Sequence, residues 1–251
     1  MSLRSLIKRW LLKRDMILSR PPGTFAVPGY KLAAAKARGL DVRTIVDGGA
    51  AVGDWTRMAR SIWPGAHILA VEPRDDAQSE LERAKAELGN VTIARQLLGD
   101  AARDVEFFDH GDQSSLGWKV GHAAVQVRRT MTTLDQLVAD TRLAGPDLIK
   151  LDLQGAELAA LSGATRCLAV ARAVVVEVSF FAFSDTVPLA SDVIAFMKTR
   201  GFEPYDVLGL WHRPVDGALA QGDILFVPAT SPLRADRRYF AEDEQPGAAS
   251  T

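Results

Sequence analysis

Short apolar runs alternate with amphipathic stretches along most of the chain. Ile45-Val46, Ile68–Val71, Val91–Leu98, Asp147–Leu153 and Ala173–Val178 are mostly apolar, several of them rich in β-branched residues. Runs of this length and composition read as strands buried on both faces. Between them, Trp55–Ile62, Asp76–Leu88, Thr133–Val138, Glu157–Leu168 and Asp192–Arg200 carry apolar residues at helical spacing. Gly89, Gly201 and Pro64-Gly65 close three of these helices. A helix over Tyr30–Arg38 precedes the first strand. Asp104–Asp109 and Ala124–Arg129 predict two further strands, an insertion beside the main sheet. Phe202–Trp211 and Asp223–Pro228 predict the last two. Strand–helix alternation predicts an α/β fold of three layers, Rossmann-like, with a mostly parallel sheet.

Three segments stand apart. Residues 1–20 form a basic amphipathic helix, with Leu3, Leu6, Ile7, Trp10 and Leu11 among Arg4, Lys8, Arg9, Lys13 and Arg14. Docking on the domain or a second subunit, covering the substrate, and lying on a membrane surface are its three readings. Charges at Lys13 and Arg14 interrupt the apolar stretch a signal peptide needs, so none is expected. Residues 21–229 make the main domain, and the polar, acidic 230–251 read as a disordered tail. His110–Gly121, polar and glycine-rich with Ser114, Ser115 and Trp118, reads as a binding loop.

Composition narrows the classes. The net charge of −1 removes a global electrostatic case for nucleic acid. One cysteine, Cys167, excludes an internal disulfide and a cysteine-rich metal site, and its surroundings predict burial. No apolar run approaches the roughly 18 residues of a membrane span. A cytoplasmic location follows as the expectation. A homo-oligomer and peripheral membrane contact stay open.

Candidate chemistry gathers at strand ends. After Ile45-Val46 come Asp47, Gly48, Gly49, Ala50, Ala51, Val52 and Gly53, a small-residue turn resembling G-x-G-x-x-G at Gly48, Ala50 and Gly53. Such turns let a ligand approach backbone N–H groups at a helix N-terminus. Glu72 ends the next strand, about 20 residues on, where an acid holds a ribose diol. Asp47 sits where a pyrophosphate would be repelled, and this favours a cationic adenosine cofactor, S-adenosylmethionine. The alternatives are a turn that binds nothing and an NAD-dependent oxidoreductase. Asp100, Asp152 and Glu177 lie on the same rim, where some acids will only cap helices. Asp152 is the candidate catalytic residue, as base, orienting group or amine contact, with capping of the following helix as its plain alternative. Lys150, two residues earlier on the same strand face, reads as a buried partner for a nearby acid. His67 begins a strand and reads as structural; His110, His122 and His212 are loop residues with a base role as their sharper reading. Trp118 and Trp211 are candidates to line an acceptor pocket. No spacing specifies a metal site.

The strand and helix at Asp147–Leu158, DLIKLDLQGAEL, complete a recognisable set. With VDGGAAVGDWT at Val46–Thr56, AVEPRDDAQSEL at Ala70–Leu81, LLGDAARDVEFF at Leu97–Phe108, Ser114-Ser115-Leu116, TTLDQL at Thr132–Leu137 and VVVEVS at Val174–Ser179, the chain resembles the FkbM family of S-adenosylmethionine-dependent methyltransferases. The family usually carries V-G-A-N after the aspartate, whereas Gly49-Ala50-Ala51 lacks the asparagine. Gln154 stands where many members have glutamate. The resemblance implies methyl transfer to a hydroxyl of a sugar, polyketide or similar small metabolite. It also implies a class I sheet whose last strand is antiparallel; a tight Gly222-Asp223 turn is the expected closing hairpin. The cofactor-binding set is then Asp47, Gly48, Gly49, Ala50, Gly53, Glu72, Pro73, Leu98 and Asp100, with Asp152 catalytic. A non-catalytic protein on the same fold is the remaining reading, resting on the altered turn.

Overall fold

A computed structural model describes residues 27–109, 125–184 and 187–238. The basic N-terminal segment, the binding loop with His110, Trp118 and His122, and residues 239–251 lie outside these. The strands are β1 (Thr44–Gly48), β2 (His67–Val71), β3 (Val91–Ala94), β4 (Leu97–Leu98), β5 (Arg103–Asp109), β6 (Val125–Thr132), β7 (Leu148–Leu151), β8 (Ala173–Ser179), β9 (Phe202–His212) and β10 (Leu219–Pro228). The helices are α1 (Pro28–Ala37), α2 (Asp54–Ile62), α3 (Gln78–Leu88), α4 (Leu134–Asp140), α5 (Glu157–Ser162), α6 (Thr165–Val170) and α7 (Ala190–Thr199).

Seven strands form the main sheet in the order β3-β2-β1-β7-β8-β10-β9. Pairings from β3 to β8 are parallel, and β10 runs antiparallel to both its neighbours. This is the expected doubly covered sheet with an antiparallel last strand. The closing hairpin differs in place. Gly222 and Asp223 lie inside β10, paired with Val178 and Glu177, and the turn falls between His212 and Leu219. Asp216 organises that turn, accepting from Arg213 and from the Ala218 N–H.

Helices cover both faces. Leu32 and Ala35 of α1, Ala59 and Ile62 of α2 and Leu81 of α3 pack on Ile45, Ile68, Ala70, Leu148, Val175 and Leu225. On the other face Leu134, Leu137, Leu161, Leu168, Val193 and Met197 pack on Val46, Ile149, Leu151, Val174, Val176 and Phe226. Side chains alternate across a strand, so each face can be followed along its strands. On β1, β7 and β8 the second face stays apolar or small to the strand ends: Val46 then Gly48, Ile149 then Leu151, Val174 and Val176 then Val178. The first changes character toward the C-terminal ends of the parallel strands: Ile45 then Asp47, Leu148 then Lys150 and Asp152, Ala173 and Val175 then Glu177. On β10, running the other way, Val227 and Leu225 give way to Asp223 and Gln221.

Two predicted elements are broken, and the first part of the predicted tail is folded. The run Val91–Leu98 splits after Ala94, and Leu97-Leu98 leaves the main sheet to pair with Met131-Thr132 beside the β5–β6 hairpin. The helix Glu157–Leu168 breaks at Gly163, whose Cβ would stand 2.2 Å from the Gly99 carbonyl oxygen. Asp135 then restarts it, its carboxylate accepting from the Arg166 and Cys167 N–H groups. Residues 230–238, read from sequence as tail, hold a short 3-10 turn over Pro232–Arg234 with Leu233 packed on the core. Thr133 caps α4 as predicted, its hydroxyl accepting from Gln136.

Candidate active site

A cavity of about 360 Å³ opens at the C-terminal ends of β1, β2, β7 and β8. That volume lies in the range of small-molecule sites. One half is lined by Gly49, Ala51, Glu72, Pro73 and Leu98, the other by Asp152, Gln154, Glu177 and Trp211.

The turn after β1 explains its own small residues. Gly49 has φ +72°, and a Cβ there would fall 1.8 Å from the Asp152 carbonyl oxygen. The β1 and β7 ends therefore touch backbone to backbone. Ala51 also has positive φ and sends its N–H to Glu72 Oε2 at 2.8 Å. The other small positions serve packing. A Cβ on Gly48 would meet Leu151 at 2.9 Å, and one on Gly53 would meet Ala84 at 3.2 Å, where α2 crosses α3. Ala50 is buried in the core. Of the predicted turn residues only Gly49 faces the cavity. Gly48, Ala50 and Gly53 do not, and Ala51, named in the turn but left out of the expected cofactor-binding set, does.

Asp47 also departs from expectation. It is fully buried beneath the turn, bonded by Thr56 Oγ1 at 2.6 Å and 3.4 Å from Lys150 Nζ. Burial raises its pKa against the pull of Lys150 and Thr56. Its charge is internally compensated, so it presents no repulsion to a ligand. Lys150 is the buried partner anticipated from its strand face. Its ammonium also meets the Gly49 carbonyl at 2.8 Å and Asp152 Oδ2 at 3.4 Å. Burial alone would lower the Lys150 pKa; Asp47, Asp152 and Asp223 outweigh it, and the net shift is upward.

Glu72 lies in the cavity wall but is only 4 % exposed. Its carboxylate accepts from the Ala51 N–H and, at 3.0 Å, the Arg74 N–H. Burial raises its pKa, and those two backbone bonds oppose the rise. The carboxylate thus ties the glycine turn to the end of β2 while keeping lone pairs for a ligand. Asp100 does not reach the cavity. It sits exposed in the turn after β4, held by Arg103 at 2.7 Å, a bond that lowers its pKa.

Asp152 stands at the end of β7 without capping α5. No side chain caps α5; the Glu157 carboxylate instead ties together the turn before it, accepting from Leu153 N at 2.6 Å and from Gly155 N. Burial pushes Glu157 up to about 7 against these bonds. Asp152 Oδ1 accepts from Gln154 Nε2 at 3.0 Å. Glu177 and Asp223 are directly paired across β8 and β10. Burial, reinforced by Asp152, raises Asp223 to about 6, against Lys150. Trp211 lines the cavity, its ring over Gly209, where a Cβ would approach to 2.4 Å. His67 bonds Thr92 at the opposite end of the sheet, as its strand position predicts. Cys167 is buried and unpaired. No helix among the described residues is long and apolar enough to cross a membrane.

A parallel sheet closed by an antiparallel last strand, with an acid at the end of β2 beside a glycine turn, is the framework of a Rossmann-like methyltransferase. The family model described as the methyltransferase FkbM domain matches residues 47–204, and the chain belongs to that family. S-adenosylmethionine is the cofactor this membership brings, and Glu72, Pro73 and Leu98 are among the residues lining the cavity. Among solved structures, the methyltransferase FkbM of Methylobacillus flagellatus KT is similar over 72 % of this chain at 16 % identity and TM-score 0.48. This chain spans only 43 % of that protein. The N-terminal domain of EvdMO1, crystallised with SAH and D-fucose, is similar over 91 % of this chain and 98 % of its own, at 12 % identity and TM-score 0.46. Aeropyrum pernix fibrillarin with bound S-adenosyl-L-methionine is similar over 77 % and 74 %, at 16 % identity and TM-score 0.42. No curated protein matches the chain.

Proposed function

We propose that this methyltransferase acts on a hydroxyl oxygen of a small metabolite, with Asp152 as the proton acceptor. The observation that carries the reading is that Glu72 and Asp152, from the ends of β2 and β7, line one cavity from opposite sides. The cofactor half is Gly49, Ala51, Glu72, Pro73 and Leu98; the acceptor half is Asp152, Gln154, Glu177 and Trp211. When bound, S-adenosylmethionine supplies an electrophilic methyl group. The chain's own part is to align an oxygen with it and exclude water. Asp152 accepts the hydroxyl proton as the oxygen takes the methyl group, and Lys150 holds that carboxylate in place. The Trp211 ring offers an apolar face to the acceptor's carbon skeleton.

The test is incubation of the purified protein with isotope-labelled S-adenosylmethionine and a cell extract, read by mass spectrometry. A labelled small molecule that releases its label as a methyl ether supports the reading. A labelled nitrogen, carbon or macromolecule would replace the acceptor class. Tight cofactor binding with no labelled product from any extract would favour the non-catalytic alternative.

A further inference from the structure

The acceptor half of the cavity holds more acid than its cation can serve. An ammonium has three hydrogens to donate, and those of Lys150 face the Gly49 carbonyl, Asp47 and Asp152. Glu177 and Asp223 are left without one. Their positions are directly opposite in the β8–β10 ladder, where Cβ atoms stand about 5 Å apart. One residue beyond the Leu151–Val176 pair of β7 and β8, Asp152 falls beside Glu177. Three neighbouring carboxyl groups with one shared cation do not all ionise.

Glu177 is the one flanked on both sides, by Asp152 from β7 and Asp223 from β10. Gln154 is held at φ +51°, and from there its amide donates both to Asp152 Oδ1 at 3.0 Å and to Glu177 Oε2 at 3.3 Å. Gln221 Nε2 donates to the same Glu177 Oε2 at 2.9 Å. Both donors converge on one oxygen. Among the described residues none donates to Oε1, which leaves that oxygen able to carry a proton.

We propose that Glu177 stands in the cavity wall as a neutral carboxylic acid, Oε2 accepting the two amides and Oε1 donating to an oxygen of the methyl acceptor. It thereby orients the acceptor beside Asp152. This rests on the reading of the cavity as the transfer site. Its proton is not consumed; it holds the acceptor before and after transfer. The charged groups facing it are Asp152 and Lys150 from the end of β7, Glu157 from α5 and Asp223 from β10. Burial first, then Asp152, Glu157 and Asp223, holds its carboxyl well above the ordinary range, with Lys150 opposing.

Infrared difference spectra of the wild type against Glu177→Gln at neutral pH test the protonation without any acceptor. A carbonyl stretch of a protonated carboxyl, present in the wild type and absent from the variant, is expected. Carboxylate bands alone would overturn the proposal. In the labelled-methyl assay, Glu177→Ala should lose about 10–100-fold in turnover, the worth of one or two hydrogen bonds in the transition state. Glu177→Gln should recover much of that loss, since an amide is also a neutral donor. It should also lack the alkaline fall in activity that ionisation of Glu177 causes in the wild type. Equal losses in both variants, with the alkaline limb unmoved, would remove the donor role. A protonated carboxyl in a protein that transfers no methyl counts against the transferase reading and upholds the neutral acid; methyl transfer with Glu177 ionised does the reverse.

Discussion

At the scale of single residues, Glu72 has two tasks that mutation will expose together. Its carboxylate accepts two backbone N–H groups and faces the cavity. Glu72→Ala should weaken S-adenosylmethionine by roughly 10–100-fold, the loss expected for charge-assisted bonds to the ribose. It should also lower the melting temperature, because an unsatisfied buried N–H costs about 1–3 kcal/mol. Calorimetric titration and a melting curve on one preparation separate the two effects; wild-type affinity in a folded variant would remove the ribose role. Asp152 is simpler, since it caps no helix: the start of α5 has no side-chain cap, and Glu157 holds the turn before it. Asp152→Asn should keep the fold and lose about 10²–10⁴ in turnover, the span of a general base or charge stabiliser. Full turnover by the asparagine variant would reassign the proton acceptor.

Among the elements, the β1–α2 turn is the most constrained. Gly49 combines a positive φ with the near-contact to the Asp152 carbonyl. Gly49→Ala must shift either the turn or the end of β7, so it should cost at least about 2 kcal/mol of stability. The same shift should weaken cofactor binding and move Asp152, coupling the two halves of the cavity. Denaturant unfolding and cofactor titration measure both; a variant as stable as the wild type would show that the turn can relax. The Gly163 break between α5 and α6 has a similar origin in close backbone approach, without a cavity beside it.

Across the whole molecule, buried carboxyls dominate the pH response. Glu157 is raised to about 7, Asp223 to about 6, and Glu177 further, chiefly by burial. These groups bind protons more tightly folded than unfolded. Their contribution to stability is complete below their ordinary values near 4.5 and 3.8 and is lost as pH rises through the folded values. Asp135, held below its ordinary value by the Arg166 and Cys167 N–H groups against its partial burial, acts oppositely and loses its contribution on acidification. Melting temperature should therefore peak on the mildly acidic side and fall between about pH 5 and 8. Glu157→Gln should flatten that fall; a melting temperature that rises steadily from pH 5 to 8 would contradict the burial of these acids as ionisable groups.

Much of this architecture is legible in local pattern. Apolar runs such as Ala173–Val178 and periodic segments such as Gln78–Leu88 announce strands and helices because burial on one or two faces leaves a period of its own. Glu72 and Asp152 are legible for the same reason: each is an acid directly after an apolar strand, and strand ends in such sheets face the ligand. What local pattern does not hold is which small residue faces a ligand and which faces a neighbouring chain segment. Gly48, Gly49, Ala50, Ala51 and Gly53 look alike in sequence. They are sorted only by what lies against them: Leu151, the Asp152 carbonyl, the core, Glu72 and Ala84. Likewise nothing near Asp47 announces Lys150, 103 residues away, nor does β8 announce that Asp223 will pair with Glu177. Charge compensation and proton sharing depend on distances between strands. Those distances exist only once parallel crossovers and the antiparallel β10 have brought remote segments into one sheet.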